Sequence, residues 1–377
     1  MIKKNILIYR DLILPPSETF IKNQTGMLKA FDPYFIGSRR QQGIDLPQDK
    51  VFLLNNGTVS GRFREALYKL FGYAPAMLHK IGQLQPCLAH VHMGKDATLY
   101  LPVHTKCNIP LVVTFHGTDA TTSDAWKKSQ RRITYKIYLK KRAQLSKSAD
   151  LFIAVSEVVK QGLLRQGYPE EKIFIHYIGI DLDMFFPDMT VEREPVVLFV
   201  SRLEKFKGCQ HVIEALSAVQ KKIPEIKLIV IGDGPYRASL EKQAKDHLTK
   251  YEFLGMQPHG IVREWMNKAT LLSVPSEREG MPTFVQEALA MGLPMALFNI
   301  PAIKEAVGEE LQQCLVEKNN INQLSQLISA LFQDQALWQK MSTLGIKRAQ
   351  DFFDLKRQTA LLEEKYFQLI YRYPYDC

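Results

Sequence analysis

Two carboxylates eight positions apart, Glu279 and Glu287, flank the turn Gly280-Met281-Pro282-Thr283 and the start of an apolar run from Phe284 to Met291. The run reads as a helix: Pro282 suits a first turn, where its missing N–H costs nothing, and Gly292 with Pro294 ends it. Free N–H groups at such a start, backed by the positive end of the helix dipole, form an anion site. A carboxylate beside a bound anion is costly unless it accepts hydrogen bonds, and the hydroxyls of sugars and riboses can supply them. The spacing therefore predicts a site for a phosphorylated, hydroxyl-rich ligand, with Glu279 beside the anion and Glu287 about two turns along the helix. An ordinary amphipathic helix with a surface glutamate at each end is the competing reading.

Cationic partners stand upstream. Val196 to Val200 is a short continuous apolar run, the pattern of a buried parallel strand, and it leads into Ser201-Arg202-Leu203-Glu204-Lys205-Phe206-Lys207-Gly208. Arg202 and Lys207 are thus expected on a loop at the carboxyl end of a strand, where open α/β sheets bind ligands. Arginine can grip two phosphate oxygens in a fork, and lysine adds a mobile point charge.

The order of these pieces resembles that of the retaining nucleotide-sugar glycosyltransferases of family 4. The resemblance rests on Ser-Arg-Leu with Lys207-Gly208, Ile231-Gly232-Asp233-Gly234-Pro235, Phe253-Leu254-Gly255 and Glu279-x7-Glu287 with Ala288 to Pro294. Thr114-Phe115-His116-Gly117-Thr118-Asp119 and Tyr177 to Phe185 extend it over nearly the whole chain. It implies an α/β, GT-B fold of two Rossmann-like domains whose parallel sheets face across a cleft. It also implies transfer of a hexose from a nucleotide-diphosphate sugar, UDP above other nucleotides, to a glycan or lipid-linked acceptor with retention of configuration. The bacterial exopolysaccharide and O-antigen enzymes are the subgroup resembled, through Pro16-Ser17-Glu18-Thr19-Phe20-Ile21.

Carried over residue by residue, the resemblance makes Arg202 and Lys207 neutralise the leaving diphosphate. Glu287 accepts from the ribose, Glu279 holds donor-sugar hydroxyls, and the backbone of Gly280, Met281, Pro282 and Thr283 touches sugar and phosphate. His116 reaches the donor sugar from the other domain. A glycine pair common after the first strand of the family is missing, and Ser17 or Thr19 is expected to replace its phosphate contact, with Glu18 free to bind an acceptor hydroxyl. No donor contact is carried onto Phe298 to Glu305, which lacks the family's glycines.

Asp181 and Asp183 form an Asp-x-Asp, the pattern that holds a divalent ion in metal-dependent transferases. It falls in the expected interdomain connection, and Arg202 with Lys207 already supplies positive charge, so a structural role and metal-independent chemistry are predicted. No cofactor is implied beyond the donor substrate.

These residues need two positioned domains, and 377 residues suffice for two α/β cores. Apolar runs at Cys87 to His92, Leu111 to Phe115, Leu151 to Val155, Val196 to Val200, Lys227 to Ile231 and Thr270 to Val274 suggest repeated βα units. The expected division is an acceptor-binding domain over 1–188, joined by a C-terminal helix over 358–377, and a nucleotide-sugar domain over 189–357. The polar, proline-flanked stretch 186–195 is the expected link.

All of the formal charge of +10 lies in the first half: residues 1–190 hold 26 Lys and Arg against 16 Asp and Glu, while residues 191–377 hold 23 of each. Nine basic residues from Lys127 to Lys147 have no acid among them, and Ile133, Tyr135, Ile137, Tyr138 and Leu139 are interleaved. A basic amphipathic helix of this kind suits an anionic membrane surface. A solvated face is the rival, and nucleic acid is disfavoured because aromatic-rich binding signatures are missing. Five scattered cysteines, no secretory leader and no long apolar span lead to an expected cytoplasmic protein, peripheral on the inner face of the plasma membrane. Alternatives from other classes are a GT-B nucleotide-sugar epimerase and a non-enzymatic sugar- or nucleic-acid-binding protein.

Overall fold

The computed structural model describes residues 3–13, 15, 18–41 and 43–372. Its contacts divide the chain into two compact units, 1–179 with 355–377, and 180–354.

In the first unit the apolar runs pair as a parallel sheet. Its strands are β1 (Lys4–Tyr9), β2 (Phe31–Gly37), β3 (Val51–Leu53), β4 (Ala89–His92), β5 (Leu111–Phe115), β6 (Leu151–Ala154) and β7 (Ile173–Ile175), in the order β3-β2-β1-β4-β5-β6-β7. All neighbours are parallel. Helices on both faces explain why Ile6, Leu7, Ile8 and Tyr9 are all buried rather than alternating. The helices that matter below are α1 (Thr19–Gly26), α2 (Val59–Phe71), α3 (Gly94–His104) and α4 (Ile133–Ser148). The chain returns to this unit through a helix over Leu355–Ile370, whose Leu362, Tyr366, Leu369 and Ile370 join Ile6, Ile8, Phe31 and Phe35 in one core. Glu363 fixes the helix by accepting from the amides of Lys29 and Ala30 at 2.8 and 2.7 Å.

The second unit holds β8 (Glu194–Val200), β9 (Lys227–Ile231), β10 (Tyr251–Gly255) and β11 (Ala269–Leu272), all parallel in the order β10-β9-β8-β11. A bridge from Leu272 to Met295 and the parallel pair β12 (Leu297–Phe298) and β13 (Leu315–Val316) follow. α5 (Cys209–Val219) follows β8, and α6 (Thr283–Ala290) follows β11. The stretch 186–195 lies inside this unit, because Ile180 already bonds Phe353 O at 2.7 Å and bridges Asp354.

Each sheet has one place where strand order reverses. In the first unit it lies between β1 and β4, and in the second between β8 and β11. Loops leaving the carboxyl ends of such a strand pair diverge and leave a crevice.

Candidate active site

In the second unit, the loops after β8 and β11 carry the predicted residues. β8 ends at Val200, and Ser201 to Lys207 is clamped against the next loop: Ser201 N bonds Ile231 O at 3.1 Å and Leu203 N bonds Asp233 O at 2.9 Å. Gly232 sits at φ 138°, and a Cβ there would lie 1.9 Å from Ser201 O, so only glycine permits this approach. Gly208 has φ 84°, and its Cβ would meet Pro275 O at 2.2 Å, which fixes the loop where α5 begins. These motif glycines are therefore demanded by backbone packing around the strand ends.

That packing delivers Lys207 to Glu279, 72 positions later: Nζ donates to Oε1 at 2.7 Å, with both side chains largely buried. Phe206 braces the pair, with Arg278 stacked over its ring at 4.4 Å and its carbonyl accepting from Glu277 N at 2.8 Å. Arg202 stands apart from this contact. Its side chain is 66% exposed and its ion-pair partner is the neighbouring Glu204, at 3.6 Å, which leaves the guanidinium open to an incoming anion. Gly280, Met281 and Pro282 form the turn, Pro282 caps α6, and Thr283 is its first residue, so the helix begins one residue after the proline. The amides of Thr283 and Phe284 precede the first intrahelical bond, which Val285 N makes to Pro282 O at 3.0 Å.

Glu287 is buried on α6, one turn beyond Thr283, with no hydrogen-bond or ion-pair partner among the described residues. Burial alone pushes its carboxyl up to about 8. An isolated buried carboxylate is expensive, so a ligand that donates hydrogen bonds to it is the natural way to relieve the cost.

The first unit has its own polar cluster at the β1/β4 crevice. Arg10, immediately after β1, is buried and grips Glu18 through Nε at 2.9 Å and again through Nη2, while Nη1 donates to Asp96. Glu18 is thus an ion-pair partner of Arg10 in this structure. Arg10 and Asp96 were missed in the sequence, although an arginine ending the first strand and an aspartate opening the helix after β4 were visible signals. Ser17 lies outside the described residues.

His116 follows β5. Its Nε2 meets His92 Nδ1 at 3.0 Å, its ring packs on Phe20 at 4.8 Å, and its Nδ1 is buried without a partner. Burial, then Arg10 and His90, lower it to about 3, so the imidazole is neutral and serves as a hydrogen-bonding group rather than a charged acid. A small cavity beside it is lined by Phe20, Gln24, Thr114 and His176. His90 is buried between Tyr366 and Thr114 and is also lowered to about 3 by burial. Asp119 of the His-Gly-Thr-Asp segment accepts from the amides of Gly94 and Lys95 at the start of α3, a capping role. Asp181 Oδ1 accepts from Asp183 N at 3.0 Å, a local turn.

The basic stretch needs correcting. Lys127 is wholly buried, with Nζ bonded to Thr122 O at 2.8 Å and over the Tyr138 ring at 5.6 Å. Arg142 makes a fork with Asp124, at 2.9 and 3.0 Å. Asp124 lies just upstream of the run and cancels part of it. Tyr135 and Tyr138 face the core while Ile133 stays 48% exposed, so α4 offers solvent a mainly basic face. No described helix is long and apolar enough to cross a membrane.

Comparison with known proteins agrees with this geometry. The family described as Glycosyltransferase Family 4 matches residues 36–184, and that described as Glycosyl transferases group 1 matches residues 184–348. The putative teichuronic acid biosynthesis glycosyltransferase TuaC of Bacillus subtilis is 26% identical over 78% of this chain and 74% of its own length. The putative colanic acid biosynthesis glycosyltransferase WcaL of Escherichia coli is 25% identical over 58% of this chain, which spans 54% of that protein. Among solved structures, Anabaena HepE in complex with UDP-glucose superposes with a TM-score of 0.78 at 16% identity, covering 97% of this chain and 100% of that one. The fold is GT-B.

Proposed function

This chain belongs to the family 4 glycosyltransferases, and from that premise we propose that it moves a hexose from a UDP-sugar to a glycan or lipid-linked acceptor in surface-polysaccharide synthesis, with retention of anomeric configuration. The observation that carries the reading is Glu287: a buried, unpartnered carboxyl on the helix whose start presents the Lys207–Glu279 pair, at the reversal point of a parallel sheet. That combination suits a ligand with an anion at one end and donor hydroxyls at the other. UDP and UDP-glucose occupy the similarly folded Anabaena HepE, and this supports a nucleotide-sugar donor.

In this reading the diphosphate lies at the first turn of α6. Arg202 swings its fork onto it, and Lys207 turns from Glu279 toward the phosphate. Glu279 is thereby released to accept from sugar hydroxyls, and the amides of Gly280, Met281 and Thr283 complete the cradle with the proline turn. Glu287 accepts from the ribose. As the acceptor hydroxyl oxygen bonds the anomeric carbon, the bond to the diphosphate breaks. The hydroxyl proton passes to the departing phosphate oxygen, and fixed cations with helix amides stabilise the charge that develops there. His116, in the first unit, offers a neutral hydrogen-bonding group at its own crevice.

A hydrolysis screen over nucleotide sugars, read as nucleotide release, tests the proposal. One UDP-sugar should stand out, and UDP should raise the melting temperature while DNA and RNA do not. If no nucleotide sugar is hydrolysed and no nucleotide shifts melting, the reading fails.

A further inference from the structure

The first unit carries an apolar ridge that its own fold leaves uncovered. α2 is a well-terminated helix. Thr58 Oγ1 accepts from Gly61 N at 3.0 Å, and Gly72, at φ 70°, closes the far end by donating its N–H to Tyr68 O. Its inward side is narrow: Gly61 and Tyr68 are buried, and the Tyr68 hydroxyl pairs with that of Tyr9 at 2.7 Å. Its outward side is the apolar one. Val59, Phe63, Leu70 and Phe71 are 81, 64, 62 and 75% exposed, and Tyr73, just beyond, is 57% exposed. Val59, Phe63 and Leu70 are separated by four and seven residues and so lie along one stripe of the helix. A helix packed on a sheet normally turns such a stripe inward. Scattered apolar residues on a surface are ordinary, whereas a contiguous aromatic and aliphatic ridge marks a place where something binds.

The charge around the ridge indicates what that is. Arg62 and Arg64 are exposed on α2 itself. Gly72 lies against Pro102 of α3, where a Cβ would meet the proline ring at 2.6 Å, and α4 packs on the same helix. The crossovers from β3 to β4, β4 to β5 and β5 to β6 all move the same way across the sheet, so these helices cover one face. With Lys127 and Arg142 turned inward, α4 still exposes Arg132, Lys136, Lys140 and Lys147 at helical spacing. A second copy of this chain docking here would bring two basic sets together. An anionic surface would not suffer that repulsion.

We propose that this helix layer is a docking surface for an anionic phospholipid membrane, with the α2 ridge entering the interface and the α2 and α4 cations meeting the headgroups. Burial of apolar side chains supplies the insertion, and the basic residues supply selectivity for negative lipid. The inference does not depend on the identity of the sugar donor.

The test uses the full chain with vesicles of phosphatidylcholine, with and without phosphatidylglycerol. The protein should sediment with the anionic vesicles at low salt and detach at high salt. Phe63→Asp with Leu70→Asp should weaken partitioning about a hundredfold, roughly tenfold for each apolar side chain withdrawn. Lys136→Glu with Lys140→Glu should weaken it at least tenfold, at about fivefold per cation removed. Both variants change exposed positions, and unchanged melting and UDP binding would show that they remain folded. Wild-type protein left in the supernatant with anionic vesicles would overturn the proposal, as would undiminished sedimentation of the α2 variant. A dimer in solution abolished by Phe63→Asp with Leu70→Asp, without vesicle binding, would assign the ridge to a second copy instead.

Discussion

Replacing Glu287 by glutamine should stabilise the unliganded second unit while weakening its hold on a nucleotide. Burial raises this carboxyl from 4.5 to about 8. A group raised on folding contributes its full stability below its unfolded value, and that contribution drains away as pH climbs toward the folded value. At about 1.36 kcal/mol per pH unit, the penalty grows from about 1 kcal/mol at pH 5 to about 4 kcal/mol at pH 8, then levels off. Glutamine keeps the shape and cannot ionise. The variant should therefore gain about 3 kcal/mol over wild type at pH 7. For a unit the size of Ile180–Asp354, each kcal/mol moves melting by about 2–4 °C, which makes the gap about 6–12 °C. Calorimetric scans without nucleotide between pH 5 and 8 measure it. Titration with UDP provides the second half: donor hydroxyls should draw Glu287 into its ionised form, so binding at pH 7 should release protons in wild type and not in the variant. Buffers of different ionisation enthalpy would reveal that release. A glutamine variant that melts lower, or a gap flat with pH, would refute the reasoning.

Arg202→Ala should slow transfer about ten- to a hundredfold by removing charge-assisted hydrogen bonds to the diphosphate, and Arg202→Lys should recover little because the fork is lost; full activity of the lysine variant would contradict this. Transfer should continue in excess chelator, and activity lost there but restored by magnesium or manganese would reassign Asp181 and Asp183 as ligands. His90 and His116 are both held near 3 by burial, so their contribution is complete above about 6.5 and is lost on acidification. Each should cost the first unit about 2 kcal/mol by pH 5. Hydrogen exchange resolved to that unit would check this, and protection unchanged between pH 7 and 5 would contradict it.

Much of the second unit could be read from residue types because its loops are short and its strands are continuous apolar runs. Lys227 to Ile231 is observed as expected, and Val196 to Val200 is the inner part of β8. β2 escaped notice because Asp32 and Pro33 interrupt it. Proline is tolerated there because β3 pairs only with Phe35, Ile36 and Gly37, leaving the outer side of Pro33 without a ladder partner. The contact between Lys207 and Glu279 was not foreseen, because it depends on β8 and β11 being adjacent, which no local pattern reveals. The basic run misled for a related reason: a charge count does not show which cations turn inward, and Asp124 neutralises from outside the window counted. The α2 ridge was invisible because an apolar stripe on a helix is ordinarily taken for the buried side.

The returning helix Leu355–Ile370 also sets an order of assembly. Domains tend to fold as they leave the ribosome, the earlier before the later. Here the first unit is interrupted by the whole of 180–354 and finished by 355–377. At roughly 5–20 residues per second, the nascent first unit waits on the order of ten to forty seconds for Tyr366 and its neighbours to seal Phe31 and Phe35. The second unit is contiguous and can close during that interval. The first unit begins first and finishes last, so its open core is the part of the newborn chain most in need of chaperone cover, and deletions near the C-terminus should damage that unit before they reach the one that carries Glu287.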